Sequence, residues 1–202
     1  MNKTIVGLCV LGVLGVCIGG CGKPVVKRTS VEQTIDLSGV WNDTDSRLVA
    51  EEMIKDCMNR PWINRFSERA QREPVVIVGT VVNRSHEHIN AQLFTKDLEQ
   101  SLINSNLVKV VASKQEREEV REERQNQQVG LTEQETVKAF GHETGADFML
   151  QGTVNSVKDE IKGKYVMLYQ VTLELVDLKS NEKVWLGKKE IKKYVKRSAF
   201  GL

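Results

Sequence analysis

The side chains that could perform chemistry in this chain are few and lie in polar segments. His86 and His88 have the alternate spacing that would place both on one face of a strand, which is a weak signal for zinc. Asp43 and Asp45 could suggest a cation or acid–base site, but a cation needs about six oxygen ligands in a tighter pattern. The sequence therefore predicts no metal ion and no cofactor.

The remaining signatures of catalysis are also absent from the sequence. It contains no glycine-rich phosphate loop, no serine nucleophile elbow and no pair of acid–base carboxylates in a concave context. Cys57 lies among Met53, Ile54 and Met58, where a buried, inert thiol is expected. The 29 basic and 27 acidic residues nearly balance, which argues against wholesale binding of nucleic acid. We expect neither an enzyme nor a protein with a small-molecule substrate.

Cys21 is the residue with the clearest predicted chemistry. Lys3 gives the N-terminus a positive charge, and residues 5–18 form an apolar and glycine run without a charged residue. This run is shorter than the roughly 20 residues that cross a hydrocarbon core, and its layout is typical of a secretory signal peptide. It ends in the sequence IGGC at residues 18–21, which resembles the bacterial lipobox.

The lipobox resemblance implies that residues 1–20 are a lipoprotein signal peptide and that Cys21 becomes the acylated first residue of the mature chain. Several acyl chains, palmitate among them, make such an anchor stable, because a single chain binds only marginally. Gly22 stands where an aspartate would resemble the inner-membrane retention signal, so we expect the outer membrane, with the domain facing the periplasm. An ordinary signal peptide or a single anchoring helix with an incidental cysteine is the alternative.

Residues 21–34 are predicted to be a lipidated tether, because they are polar, contain Pro24 and lack helical periodicity. The part after Cys21 has about 13 residues and spans at most about 45 Å when fully extended. Residues 35–202 have the length of a single globular domain.

Hydrophobic periodicity predicts the elements of the domain. Alternation at residues 34–38 favours a half-buried strand, and Asp45 or Ser46 can cap a helix that Pro61 stops. A short second helix is predicted from Pro61. The following segments are predicted to be a strand buried on both faces, an amphipathic helix and a short strand, at residues 75–82, 90–105 and 107–111.

The second half of the domain changes from helices to strands. Residues 113–128 are highly charged and fit a solvated helix or a mobile loop, with a charged docking arm as the functional alternative. Thr132 and Glu135 have capping-box spacing, which predicts a helix ending at Gly145. Strands are expected at residues 146–157, 164–178 and 183–196. The fold class is α/β (α+β-like), with a mixed sheet of about five strands and helices mainly on one face.

Three blocks together resemble the LpoB family of penicillin-binding protein activators: SGVWNDTDS at residues 38–46, VGTVVN at 78–83 and GADFMLQG at 145–152. The resemblance implies a fold similar to the N-terminal domain of TolB. It also implies a non-enzymatic outer-membrane lipoprotein that binds and allosterically activates a bifunctional class A penicillin-binding protein, and so regulates peptidoglycan synthesis. The short tether departs from the long tether of the best-known member.

The third block is shared more widely, which leaves an alternative open. Curli-secretion (CsgG-like) and flagellar-associated lipoproteins have related domains, and a structural role in an envelope assembly is the alternative function. Membrane-spanning hairpins need lipid-facing strands, and the lysines of residues 183–196 weigh against insertion.

Two groups of site residues are predicted. A structural loop and helix cap is expected at Trp41, Asn42, Asp43, Asp45 and Ser46. A partner-binding surface is expected at Asn83, Arg84, Ser85 and His86, together with Lys188, Lys192 and Lys193 in the basic last strand. The alternative for these lysines is an edge strand protected against aggregation.

Overall fold

The computed structural model describes residues 28–30, 33–36, 38–138 and 141–196. The predicted signal peptide, residues 1–20, and the predicted lipidation site Cys21 lie outside the described residues, as does most of the predicted tether. The described residues from Thr34 onward belong to one compact unit. Within the described part of the chain, no helix is both long and apolar enough to cross a membrane.

The helices and strands alternate in the first half of this unit, and strands dominate the second half. Their order is α1 (Asp43–Met58), α2 (Trp62–Ala70), β1 (Val75–Asn83), α3 (Ala91–Ser105), β2 (Lys109–Val111), α4 (Lys114–Gln127), β3 (Phe148–Ile161), β4 (Lys164–Asp177) and β5 (Lys183–Lys196).

The strands form one mixed sheet in the order β2-β1-β3-β4-β5, which confirms the predicted fold class. β1 is parallel to both of its neighbours, whereas β3, β4 and β5 form an antiparallel meander. Parallel strands need a crossover, and α3 supplies it between β1 and β2. Gly163, with φ of 77°, provides the left-handed residue of the tight turn between β3 and β4.

One face of the sheet packs against α1, α2 and α3 and forms the core; we call it the covered face. Leu173 and Leu175 of β4 and Phe94 and Leu98 of α3 are completely buried there. Alternate residues of β4 are buried on this side. Burial of such apolar side chains is the main source of stability for the domain.

Trp62 and Phe66 of α2 meet on a third aromatic ring. Their ring centroids lie 4.9 Å and 5.2 Å from the centroid of Phe148, the first residue of β3. Both contacts have edge-to-face geometry, which suits the charge distribution of aromatic rings. The two side chains therefore fix α2 against the sheet.

The other face of the sheet is open over β4 and β5, where none of the described helices packs; we call it the open face. The β4 residues that point to it are only half-buried. The β5 residues that point to it are exposed, including Leu186 and Tyr194.

The predicted strand at residues 34–38 is wrong. Its described residues, 34–36 and 38, lie outside any strand, and Ile35 is 43% exposed. Asp36 instead directs its carboxylate to the side chains of Asn42 and Lys193. These side-chain contacts replace the backbone ladder that the alternating pattern suggested.

The helix predicted from Thr132 to Gly145 is also wrong, because the described residues of that segment form turns and extended chain. Leu131, directly before this segment, is 93% exposed and does not pack against the core. The capping box lies earlier, at Ser113 and Glu116, and it begins α4. Of the two structures considered for the charged segment, the solvated helix is confirmed.

α4 has no buried residue and is held to its neighbours by charge. Glu116 pairs with Lys96 of α3, and this hydrogen bond, helped by Ser113, lowers the pKa of Glu116 to about 2. At the other end, Arg121 forms a bidentate pair with Glu143.

Candidate partner-binding surface

The WNDTDS block begins α1 through a reciprocal cap. The Asn42 side chain accepts a hydrogen bond from the Asp45 amide at 3.0 Å, and the Asp45 carboxylate accepts one from the Asn42 amide at 3.0 Å. This capping box satisfies two amides that would otherwise have no partner. The cap is therefore Asn42 and not Asp45 or Ser46, although both lie in the first turn and are buried.

Lys193 of β5 reaches across the covered face to the same block. Its Nζ atom lies 2.6 Å from Asp45 Oδ2, 2.8 Å from Asp36 Oδ1 and 3.1 Å from the carbonyl oxygen of Val40. The side chains of Lys193 and Asp45 are each only 11% exposed. Lys193 therefore connects the last strand to the start of the domain and is not available to a partner, which corrects its predicted role.

Trp41 and Tyr169 form the apolar side of this cluster. The Trp41 indole donates a hydrogen bond to Ser46 Oγ at 2.7 Å, and its backbone amide donates one to Glu87 Oε2 at 3.1 Å. Tyr169, which is completely buried, places its hydroxyl 2.5 Å from the same Glu87 oxygen and 3.0 Å from the carbonyl of Gly39. The two rings meet edge to face at 5.4 Å.

The cluster has a defined state of protonation. Burial, and then the hydrogen bond to Glu87, raise the pKa of Tyr169 above its ordinary value. Burial acts to lower the pKa of Lys193, but the hydrogen bonds to Asp36 and Asp45 outweigh it, so that the pKa lies above its ordinary value. The hydrogen bond from Lys193 lowers the pKa of Asp36. At neutral pH the tyrosine is neutral and the lysine charged, so neither has the protonation state of a general base or nucleophile.

We call this cluster the WND network: Asp36, Gly39, Trp41, Asn42, Asp45, Ser46, Glu87, Tyr169 and Lys193. Its contacts are internal to the domain. Sequence reasoning identified the Trp41–Ser46 part as structural but did not connect it to Glu87 or Tyr169. The only available signal was a tyrosine on the apolar face of β4, whose buried hydroxyl needed a partner.

The loop after β1 is held by its own side chains. Asn83 donates from its amide nitrogen to the Glu87 carbonyl at 2.8 Å, and its Oδ1 accepts from the Ser85 amide at 2.9 Å. The His86 amide donates to Ser156 of β3 at 3.0 Å. Asn83 and Ser85 thus maintain the shape of the loop. Arg84 and His86 are exposed, although Nδ1 of the His86 ring also lies 3.1 Å from the Ser156 hydroxyl oxygen.

The two predicted halves of the partner surface lie on different strands. β3 and β4 separate the loop after β1 from β5. Lys188 and Lys192 are exposed on the open face, and Lys188 also pairs with Glu190 at 3.0 Å. Of the three predicted lysines of β5, Lys193 is linked to the loop, through other residues of the WND network. Arg84, His86, Lys188 and Lys192 remain accessible.

The block at residues 145–152 has a structural explanation. Asp147 forms a bidentate pair with Arg72 at 2.7 Å and accepts a hydrogen bond from the Val75 amide at 2.9 Å, which joins the starts of β1 and β3. Gly152 lies so close to β4 that an added Cβ atom would be 2.2 Å from the Thr172 carbonyl oxygen. A larger residue there would separate the two strands.

The residues considered for other chemistry do not assemble into a site. Among the described residues, no group of three or more histidine, cysteine, aspartate or glutamate side chains could hold a metal ion. Cys57 is completely buried, and burial raises its pKa to about 12, so it remains a thiol at neutral pH.

Fold and network together define a two-layered α/β domain in which the polar cluster fixes the N-terminal block to the last strand. The sequence matches the family described as peptidoglycan-synthase activator LpoB over residues 45–191, which extends from α1 into β5. The chain therefore belongs to the LpoB family, which is a family of activators and not a catalytic one.

Two solved structures are similar to this chain. The LpoB C-terminal domain from Escherichia coli is 17% identical, with 74% of this chain and 99% of that chain covered and a TM-score of 0.46. The NMR structure of E. coli LpoB is 14% identical, with 87% and 82% covered and a TM-score of 0.42. No curated protein matches the sequence.

Proposed function

We propose that this protein is an outer-membrane lipoprotein, anchored through Cys21, that binds a bifunctional class A penicillin-binding protein and activates it allosterically. The observation that carries the proposal is the family match over residues 45–191. The lipobox-like sequence supports the anchor and the periplasmic location. An activator of this kind works by binding the active conformation of its target more tightly, and activation is limited by that difference in affinity.

We place the synthase contact at the loop after β1. Its internal hydrogen bonds hold the loop in one shape, so that binding need not order it, and this lowers the entropic cost of association. Arg84 and His86 are exposed at its surface and can contact acidic and polar groups of a partner.

The proposal is tested by incubating the full-length protein with the class A synthases of its organism, followed by a glycan-polymerisation assay. We expect co-purification with one synthase and an increased polymerisation rate. Binding without a change in rate would refute activation, and absence of binding would refute the whole proposal. A stable ring in analytical ultracentrifugation would instead favour an envelope-assembly role.

A matched pair of variants tests the location of the contact. Arg84→Glu should weaken synthase binding at least tenfold, whereas Arg65→Glu, the same charge reversal at an exposed position of α2, should leave it unchanged. Equal effects of the two substitutions would show that the loop is not the contact.

A further inference from the structure

The end of the open face that lies farthest from the Asp177–Lys183 turn carries a compact patch. Strand register places three rows side by side: Val157, Leu168 and Lys192; Asp159, Val166 and Tyr194; Ile161, Lys164 and Lys196. We call these nine residues the distal patch. Val157, Ile161 and Tyr194 are each more than 60% exposed. Exposed apolar residues are ordinary when single, but here they adjoin one another in a cross-strand grid.

The lysines of the patch differ from the two lysines on the covered face of β5. Lys189 pairs with Glu52 and Lys193 with Asp45, both on the covered face. Lys164, Lys192 and Lys196 form no ion pair with any residue that the structure describes. The patch therefore combines apolar side chains, a tyrosine and a basic rim of three lysines that outnumbers the single acidic residue, Asp159. Surfaces of this makeup contact the interface of an anionic bilayer.

The chain enters the domain at the same end of the meander. Asp36 is paired with Lys193, and the Gly39 amide donates to the Tyr165 hydroxyl at 3.3 Å. The residues between Cys21 and this point, about 13, reach at most about 45 Å, and a sheet layer is about 10 Å thick. A membrane that holds Cys21 is therefore within reach of the distal patch.

We infer that the distal patch docks the domain on the anionic phospholipid surface to which the chain is anchored, with Tyr194 at the bilayer interface. This inference rests on the proposed anchor at Cys21. A second copy of the chain is disfavoured as the occupant, because a symmetric contact would bring the six lysines of two patches together with only the two copies of Asp159 to balance them. A bilayer containing anionic lipids supplies both an apolar interior for the exposed apolar side chains and negative charge for the three lysines, which outnumber Asp159.

Tryptophan fluorescence of the acylated full-length protein in vesicles tests this inference. The vesicles contain phosphatidylethanolamine and phosphatidylglycerol, with bromine on the acyl chains as a quencher. Tyr194→Trp reports on the patch, Val120→Trp on the exposed surface of α4 is the matched control, and the wild-type signal is subtracted from both. We expect quenching of the added tryptophan at residue 194 by about half and no quenching at residue 120.

A charge-reversed variant tests the role of the basic rim. In the Tyr194→Trp background, Lys192→Glu with Lys196→Glu should abolish the quenching, and vesicles without phosphatidylglycerol should reduce it to a similar extent.

Equal quenching at residues 194 and 120 in acylated protein would overturn the inference and leave the synthase proposal intact. An emission change at residue 194 caused by the synthase alone would assign the patch to the protein partner and overturn membrane docking. Absence of acylation would overturn the anchor and this inference together.

Discussion

Lysine side chains have different roles on the two faces of β5. On the covered face, Lys189 and Lys193 are paired with carboxylates of the N-terminal block and α1. On the open face, Lys192 and Lys196 lie next to exposed apolar side chains and have no acidic partner among the described residues. The comparison shows that a run of lysines in a strand divides by alternation into a structural set and an accessible set, which composition alone conceals.

The largest difference between the faces is expected for leucine. Leu173→Ala on the covered face removes a completely buried side chain, and the free energy of unfolding should fall by about 3–4 kcal/mol. Leu186→Ala on the open face, where the leucine is 63% exposed, should change it by less than about 0.5 kcal/mol. Denaturant unfolding measures both, and similar losses would show that the open face is buried in solution.

Adjacent lysines provide the next test. Lys193→Met leaves Asp45 buried without its partner, and the free energy of unfolding should fall by about 2–3 kcal/mol. Lys192→Met, one residue away, should change it by no more than about 0.5 kcal/mol. If chemical denaturation gave the same stability for both variants, the WND network would not be a stabilising unit.

Two tyrosines extend the comparison to hydrogen bonds. Tyr169→Phe removes the hydroxyl that contacts Glu87 and the Gly39 carbonyl, which should cost about 1–2 kcal/mol of unfolding free energy. Tyr194→Phe alters an exposed side chain and should have almost no effect on thermal unfolding. A matching shift in melting temperature for the two variants would contradict this assignment.

The smallest expected effect is on the pH dependence of stability. Tyr169 and Lys193 both have raised pKa values in the folded protein, so their contributions are complete below the ordinary values of 10.0 and 10.5 and are lost as the pH rises above them. The pKa of Asp36 is lowered, so its contribution is present above 3.8 and is lost as the pH falls below that value. Lys193→Met should flatten both limbs of a stability profile, and an unchanged profile would disprove the coupling.

The sequence predicted the elements whose signals are local. The β-branched run of β1, the helical spacing of Phe94, Leu98 and Leu102, and the alternation of β4 each determine an element before any tertiary contact is known. Where the sequence failed, a tertiary contact decided the outcome. The alternating pattern at residues 34–38 could not reveal that Asp36 would pair with Lys193, which is 157 residues later in the chain.

The site was predicted less completely than the fold for the same reason. Asn42, Asp45 and Ser46 could be assigned to a cap because capping is a local interaction. The division of Lys192 and Lys193 between two faces depends on the register of β5 against β4, and Glu87 joins the network through a loop. The spacing of residues along the sequence does not predict these long-range contacts.

The attachment of the N-terminal block to β5 also has a mechanical consequence. If Cys21 is held in a membrane while a partner pulls on the domain, tension along the chain enters the fold at Asp36 and Gly39 and reaches β5 through Lys193. That strand is hydrogen-bonded to β4 along almost its whole length. Tension that reaches β5 through Lys193 is therefore borne by a strand with many backbone hydrogen bonds to its neighbour.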